Sequence, residues 1–314
     1  MLDYPLQMKK PKTPLLAMAL GYFDGVHRGH QQVILTAREQ AEKNGLKSAV
    51  MTFDPHPSVV LGKNSQYARA ITPLNEKAEI IAGLGIDYLF IVHFTEEFAA
   101  LFPQEFIDQY IIGLNVKHVV AGFDFTYGRM GKGTMETMPF HSRGKFNYTT
   151  VPQFSLENEK VSSSRIRKLL QEGKVDQLQA LLGRYYTTSG TVVHGEERGR
   201  KIGFPTANVG LSGEYIVPPT GVYAVRFKVG GKWFYGVCNV GFKPTFHDEA
   251  PAEPTVEVYL FDFNADIYGQ EVKVEWHLYL RKEQKFAGVA ELVAQIERDK
   301  QQTIEYFHLG RHAY

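Results

Sequence analysis

The chain has 314 residues, 44% apolar and 22% charged, with a formal net charge of +1. That balance suits a globular protein long enough for two domains, and it gives no global basic field for nucleic acid. A single cysteine, Cys238, excludes an intramolecular disulfide framework and points to a reducing compartment, with the thiol packed as a small buried side chain.

The first apolar run, Leu15–Leu20, is too short to span a membrane, lacks a small-residue cleavage pattern and runs straight into Gly21. We expect a cytoplasmic protein without an anchor. Leu15–Leu20 reads as a strand. Gln31–Lys43 follows as a helix with Val33, Ile34, Ala37 and Ala41 on one face and Asn44-Gly45 as its stop. Ser48–Phe53 is strand-like and breaks at Asp54-Pro55-His56-Pro57. Glu76–Leu84 reads as helix, Tyr88–Phe94 as strand, Pro103–Ile112 as helix and His118–Gly122 as strand. Alternation of this kind implies a parallel sheet with helices on its faces and a ligand crevice beyond the carboxyl ends of the strands. The turns at Gly21, Pro55 and Gly122 all fall at such ends.

Arg165–Leu182 reads as one or two bridging helices. From Gly183 onward the pattern changes to short strands and turns. Val222–Val229 places Tyr223, Val225, Phe227 and Val229 on one side, before a Gly230-Gly231 hairpin signal. Glu271–Arg281 alternates Val272, Val274, Trp276, Leu278 and Leu280 with polar neighbours that include His277. These strands predict an antiparallel barrel or sandwich. Gln284–His308 closes the chain with Phe286, Val289, Leu292, Val293, Ile296 and Ile304 at helical spacing.

Three segments of the first half carry chemistry. LGYFDGVHRGHQ, residues 20–31, sets His27 and His30 beside three glycines and Asp24 at the predicted start of a helix. Gly25 and Gly29 let backbone approach a ligand, and free amides at a helix start favour anions. A phosphate cradle, simple capping or packing, and a metal site with Asp24 all remain open on these residues alone. GFDFTYGRMGKG, residues 122–133, interleaves glycines with Arg129 and Lys132, which suits a polyphosphate or a hairpin tip. VSSSRIRKLL, residues 161–170, opens a helix with three hydroxyls, which can simply cap it, and puts Arg165 and Arg167 in its first turn, a conflict with the helix dipole that an anionic ligand would relieve.

Two segments of the second half do the same. GTVVHGEERGRKIGFPTANV, residues 190–209, joins a glycine-rich turn bearing Arg198, Arg200 and Lys201 to Thr206 and Asn208, two apart and on one side if extended. Two neutral oxygens suit magnesium already on a nucleotide; the alternative is an exposed turn before a strand. VEVYLFDFNADIYG, residues 256–269, sets Glu257 on a strand face with Tyr259 and Phe261. A carboxylate there serves as a general base or faces water from an edge strand.

In order, GxFDGxHxGH at 21–30, TFDPHP at 52–57, GFDFTYG at 122–128 and VSSSRIR at 161–167 resemble the FMN adenylyltransferase module of bacterial bifunctional riboflavin kinase/FAD synthetases. GxVxxGxxxGRxxGFPTAN at 190–208, NVGFKPTF at 239–246 and FDFNADIYG at 261–269 resemble the riboflavin kinase module of the same family. The resemblance implies a Rossmann-like nucleotidylyltransferase domain with a parallel sheet over 1–182, and a small antiparallel β-barrel kinase domain with a terminal helix over 183–314. It implies ATP-dependent phosphorylation of riboflavin to FMN, then adenylylation of FMN to FAD with pyrophosphate release.

In the first module the resemblance implies that His27 and His30 contact the ATP phosphates and stabilise developing charge. Gly21, Phe23, Asp24, Gly25 and Gly128 join that site, Asp124 lies at the adenosine side, and Ser163, Ser164 and Arg167 hold the triphosphate, with no covalent enzyme intermediate. Phe53, Pro55, His56, Pro57, Phe125 and Tyr127 are the implied flavin contacts. In the second module it implies that Gly195, Gly199, Arg200 and Gly203 embrace phosphate, that Thr206 and Asn208 meet Mg-ATP, and that Glu257 is the base for the riboflavin 5′-hydroxyl. Ser164 stands where the family usually has threonine, and Tyr259 where many relatives have histidine. The implied partners are riboflavin, FMN, FAD, ATP and Mg2+, without nucleic acid or membrane, on a monomer or weak homo-oligomer.

Overall fold

The computed structural model describes residues 1–6, 12–62, 68–195, 199–242 and 254–309. Arg198 and the 243–246 part of the NVGFKPTF motif lie outside the described residues, as does the side chain of Lys201. The chain splits into two compact units, 1–163 and 164–314.

The first unit is built on five strands, β1 (Leu16–Leu20), β2 (Lys47–Asp54), β3 (Tyr88–His93), β4 (Val116–Gly122) and β5 (Asn147–Val151). They form one parallel sheet in the order β3-β2-β1-β4-β5. Every residue of the central β1 is buried, which explains an unbroken apolar run rather than an alternating one. One face packs Leu16, Met18, Met51, Phe106 and Tyr110; the other packs Ala19 and Val50 against Ile34 and Ala37. The latter two belong to helix α1 (Arg28–Asn44), which buries Val33, Ile34, Ala37 and Ala41 as its apolar spacing predicts. Gly45 ends it at φ 64°, donating its amide back to the last turn.

Four features of this unit differ from expectation. α1 starts at Arg28, three residues early, because His27 caps it. Pro57–Val60 is a short helix where a break is predicted, with proline at its first position, which has no amide to lose. The Pro103 helix passes from an α-turn, Pro103–Phe106, into a π-helix, Ile107–Ile112. β5 has no apolar period, since it is an edge strand with only Val151 buried. Helix α2 (Leu74–Gly83) matches the predicted segment and buries Ile81 and, unexpectedly, Lys77.

The second unit begins with helices α3 (Ser163–Gln171) and α4 (Leu178–Leu182). Six strands follow: β6 (Tyr186–Val193), β7 (Thr206–Leu211), β8 (Gly221–Val229), β9 (Lys232–Phe242), β10 (Pro254–Leu260) and β11 (Glu271–Arg281). They close an antiparallel barrel in the order β6-β7-β10-β9-β8-β11. The β8–β9 hairpin pairs Val229 with Lys232 around Gly230 and Gly231, whose φ values of 56° and 78° suit a type I′ turn. Inside sit Val272, Val274, Trp276 and the fully buried Cys238, whose thiol is pushed far up by burial and then by the Glu257 carboxylate. β10 is paired on both sides, so the edge-strand alternative for Glu257 does not hold; Phe261 lies just past its end.

The terminal helix α5 (Val289–Leu309) begins after Phe286 and covers part of the outer face of β11. His277, on the polar face by its period, is only 3% exposed because Tyr185, Phe307 and Tyr306 surround its ring. Burial holds that imidazole below its ordinary pKa even with Glu275 at 2.8 Å. α5 is fastened by Arg281, whose Nε and Nη2 donate to the buried Asp299 at 2.9 and 2.7 Å, with Gln295 adding a third bond. Among the described residues no helix is long and apolar enough to cross a membrane.

Removing the partner of a buried carboxylate costs more than the pair itself contributes. Arg281→Met should therefore lower the stability of the second unit by roughly 3 kcal/mol. Calorimetry should show its transition moving down, with the first unit's transition unchanged.

Candidate active sites

At the carboxyl end of β1 the chain turns sharply into α1. Phe23, Gly25 and Val26 all take left-handed φ, at 55°, 83° and 39°, which is costly for an aromatic and more so for a β-branched residue. Hydrogen bonds hold the turn from several sides. The Asp24 carboxylate accepts the amides of Ile71 and Thr72 at 3.0 and 3.2 Å, and its carbonyl accepts the Ser163 hydroxyl at 2.9 Å. The Tyr22 carbonyl accepts Thr52 Oγ1 at 2.8 Å and Lys77 Nζ at 3.0 Å. Gly21 is required because a Cβ there would stand 2.8 Å from the Phe23 ring.

The two histidines meet at this turn. His27 Nδ1 accepts the His30 amide at 3.2 Å, so capping is one of its functions. The rings stack at 3.6 Å between centroids, and Phe23 meets His30 edge-on at 5.3 Å. Burial holds His30 well below its ordinary pKa, and His27, when protonated, and the Lys77 ammonium push the same way. Its Nδ1 is buried without a hydrogen-bond partner among the described residues. Nothing favours the metal alternative: the rings stack on each other, and among the described residues no three His, Cys, Asp or Glu side chains are grouped to hold an ion.

The neighbouring strand ends carry the other predicted residues of this module. His56 caps the Pro57–Val60 helix through Nδ1 and sets its ring edge-on to Tyr22 at 4.2 Å. Phe53 and Tyr127 stand in the core, Phe53 against Phe98 and Tyr127 with its hydroxyl on His141 Nδ1 at 2.7 Å. Phe125 is half-buried and stacks on Tyr127. Asp124 pairs with Lys160 at 2.8 Å on the surface. The 122–133 loop folds as a small hairpin, with Gly128 pressed on Pro103 where no side chain fits and with Arg129 and Lys132 exposed. Ser164 and the buried Arg167 fall in the second unit, and Arg167 lies beyond the first turn of α3 rather than within it.

In the barrel the register does the positioning. Asn208 of β7 lies opposite Glu257 of β10, which in turn lies opposite Asn239 of β9. Thr206 pairs with Tyr259 one rung along. These five side chains are half-buried, while the alternating Ala207, Val209, Val256 and Val258 fill the interior, so the predicted common side for Thr206 and Asn208 is present. A Cβ on Gly195 would overlap the Asn208 amide, and one on Gly199 would overlap the Phe204 carbonyl. Gly203 has φ 86°.

Beside this row a cleft of about 520 Å3 is walled by Arg200, Thr206, Leu260, Asn264, Asp266 and Tyr268, among others. It is large enough for a nucleotide-sized ligand. Among the described residues its walls include Arg200 and Thr206 but neither Asn208 nor Glu257. The 263–268 wall has no residue among the predicted site residues, although it belongs to the FDFNADIYG motif, where Asn264 and Asp266 follow an aromatic strand. Tyr268 stacks on His194 at 4.0 Å, joining that wall to the glycine-rich turn.

Residues 9–165 match the family model described as FAD synthetase, and residues 182–307 match riboflavin kinase. A bifunctional riboflavin kinase/FMN adenylyltransferase of Bacillus subtilis is 55% identical over 98% of this chain and 97% of its own length. Its Escherichia coli K12 counterpart is 37% identical over 94% of each. A crystal structure described as a macrolide-efflux protein from Streptococcus pneumoniae aligns with a TM-score of 0.88 and 36% identity over 96% of this chain and 99% of that one. The efflux description belongs to that protein alone.

His30 generates a pH dependence of stability. Its folded pKa is depressed, so below the unfolded value of about 6.5 the unfolded chain binds a proton that the folded chain resists. The first unit should lose stability as pH falls from 7 to 5, by up to about 1.4 kcal/mol per pH unit from this one group. Thermal melts of His30→Gln should show a shallower decline than the parent chain.

Proposed function

The chain belongs to the bifunctional riboflavin kinase/FMN adenylyltransferase family, and from that premise we propose which of its residues perform each step. It phosphorylates riboflavin with ATP to give FMN and adenylylates FMN with ATP to give FAD. We place the boundary of the two activities between 182 and 183, where Gly183 ends α4 in a left-handed cap. The single cysteine supports a cytoplasmic enzyme, and the net charge of +1, with no global basic field, supports small-molecule partners.

Adenylyl transfer brings two anions together, so alignment and charge neutralisation dominate its catalysis. The nucleophile is a phosphate oxygen that is already ionised, and no base is needed. The amides at the start of α1, the glycines of the turn and the two imidazoles form the anion cradle. A neutral His30 donates one N–H to charge as it develops, without the cost of desolvating a cation. Ser163 secures the turn, and Ser164 and Arg167 serve the triphosphate. Asp124 takes the adenosine side, and Pro55, His56, Pro57 and Phe125, backed by Phe53 and Tyr127, face the flavin.

Phosphorylation of riboflavin begins instead from a neutral hydroxyl, which needs a base. Glu257 supplies it: a carboxylate on a half-buried strand row, set between Asn208 and Asn239, accepts the 5′-hydroxyl proton. Arg200 and the amides around Gly195, Gly199 and Gly203 meet the nucleotide phosphates. Thr206 Oγ1 and Asn208 Oδ1 are the hard, neutral oxygens that Mg2+ accepts when most of its shell is water and phosphate, and Gly195 packed on the Asn208 amide keeps that donor in place. When bound, the ion neutralises phosphate charge.

The observation that carries this reading is the Asn208–Glu257 register with Thr206 one rung away. Glu257→Gln should lower FMN formation from riboflavin by about 10²–10⁴-fold while FMN-to-FAD conversion is unchanged. His30→Ala should do the reverse, losing about 10²–10³-fold in FAD formation alone. Both are read by chromatography of flavins after incubation with ATP and magnesium; an unchanged FMN yield in Glu257→Gln removes that residue as the base.

A further inference from the structure

Among the described residues Lys77 is the only buried lysine, at 3% exposure, and no step above uses it. We propose that Lys77 is a positioning residue for adenylyl transfer: its ammonium anchors the β1–α1 turn through the Tyr22 carbonyl and presents a fixed positive charge to the His27–His30 pair. This rests on the assignment of that pair to the ATP phosphates.

A buried ammonium is expensive, and a chain needing only a filler at this place would use methionine. Lys77 instead spends its charge on one point. Its Nζ donates to the Tyr22 carbonyl at 3.0 Å and lies 4.1 Å above the Tyr22 ring. Tyr22 directly precedes the left-handed Phe23, so the ammonium grips the strained turn where it leaves the sheet. Thr52 Oγ1 grips the same carbonyl from β2.

The electrostatic surroundings of both groups are defined. Asp24 and Asp54 favour the charged form of Lys77, yet burial outweighs them and brings its pKa down to about 8. Burial is the main force against protonation of His30, and a protonated His27 and the Lys77 ammonium both add to it. Phe23 closes the ring edge and His27 its face. Near neutral pH Lys77 is largely protonated, so its positive charge adds to burial in keeping His30 a neutral donor. Two anionic reactants require that combination: a cation to offset their repulsion, and a hydrogen bond that strengthens only as charge develops.

The test uses the full-length chain with Lys77→Met and Lys77→Arg. FMN-to-FAD rates are measured from pH 6 to 10, riboflavin-to-FMN rates serve as the internal control, and the His30 imidazole is titrated by NMR. Lys77→Met should lower kcat for FAD formation by about 10–100-fold with kinase turnover unchanged. It should also move the His30 midpoint upward, since a repelling charge is gone. Lys77→Arg should restore most of the rate and carry the alkaline limb to higher pH, because guanidinium stays charged. An unmoved His30 midpoint with a pH profile parallel to wild type reduces Lys77 to a structural residue and overturns the proposal, as does an unchanged rate. Should Lys77→Met fail to fold, wild type decides: the His30 resonance must inflect at the titration of the Lys77 ammonium, and its absence overturns the proposal. If His30→Ala leaves FAD formation intact, the histidine assignment itself has failed; if His30→Ala is inactive and Lys77→Met is normal, only the proposal for Lys77 has.

Discussion

A strained six-residue turn governs the first unit. Left-handed φ at Phe23 and Val26 costs energy that local propensity cannot return. The turn persists because its polar groups are claimed from β2, α2, residues 71–72 and Ser163 together. Each bond alone contributes about 1 kcal/mol. Their joint effect is to select one backbone path, and that path brings the start of α1 and the stacked imidazoles of His27 and His30 together. Relaxing the turn would withdraw Phe23 and Val26 from the core they share with Ile34 and Ala37 as well as separate the two histidines.

The barrel reaches the same end without strain. Antiparallel pairing places Asn208, Glu257 and Asn239 on one line because register and period two leave them no other place. A slip of one residue would send Glu257 into an interior occupied by Val256, Val258 and Cys238, where a lone carboxylate is untenable. The hydrophobic interior therefore enforces the proposed catalytic row as well as the fold. Glycines enter as clearance: side chains at 195 and 199 would collide with Asn208 and with the Phe204 carbonyl.

What was legible in the sequence follows from how local each cause is. Gly45 as a helix stop, Gly230-Gly231 as a hairpin and the alternation of Val272, Val274 and Trp276 are set by near neighbours, and each is present. The histidine pair was legible as a pair, but its alternatives stayed open because capping and phosphate binding use the same turn. The structure shows that His27 caps in any case. Features made by distant chain were not legible. His277 belongs to the polar side of its strand and is buried only because α5 and Tyr185 arrive over it. Lys77 sits beside Glu76 in an ordinary amphipathic helix, and nothing nearby in sequence marks it as facing the Tyr22 carbonyl. β5 has no apolar rhythm because the sheet edge asks none of it.

The two units also show why one chain carries two unlike solutions to phosphate chemistry. Where the attacking group is an ionised phosphate, a carboxylate at the reacting centre would add repulsion. The Asp24 carboxylate is turned to the amides of Ile71 and Thr72, which leaves imidazoles and helix amides for the role proposed above. Where the attacking group is a hydroxyl, a carboxylate suits the proton acceptor, the role proposed for Glu257, whose register neighbours are the neutral amides of Asn208 and Asn239. Each arrangement would impair the other reaction: Glu257 in the histidine turn would repel FMN, and a neutral imidazole pair in the barrel row would leave the carboxylate's place to a group with different proton affinity. Separate folds with separately tuned charge are thus a requirement of the two reactions, and the chain meets it by joining a strained turn on a parallel sheet to an unstrained row on a barrel.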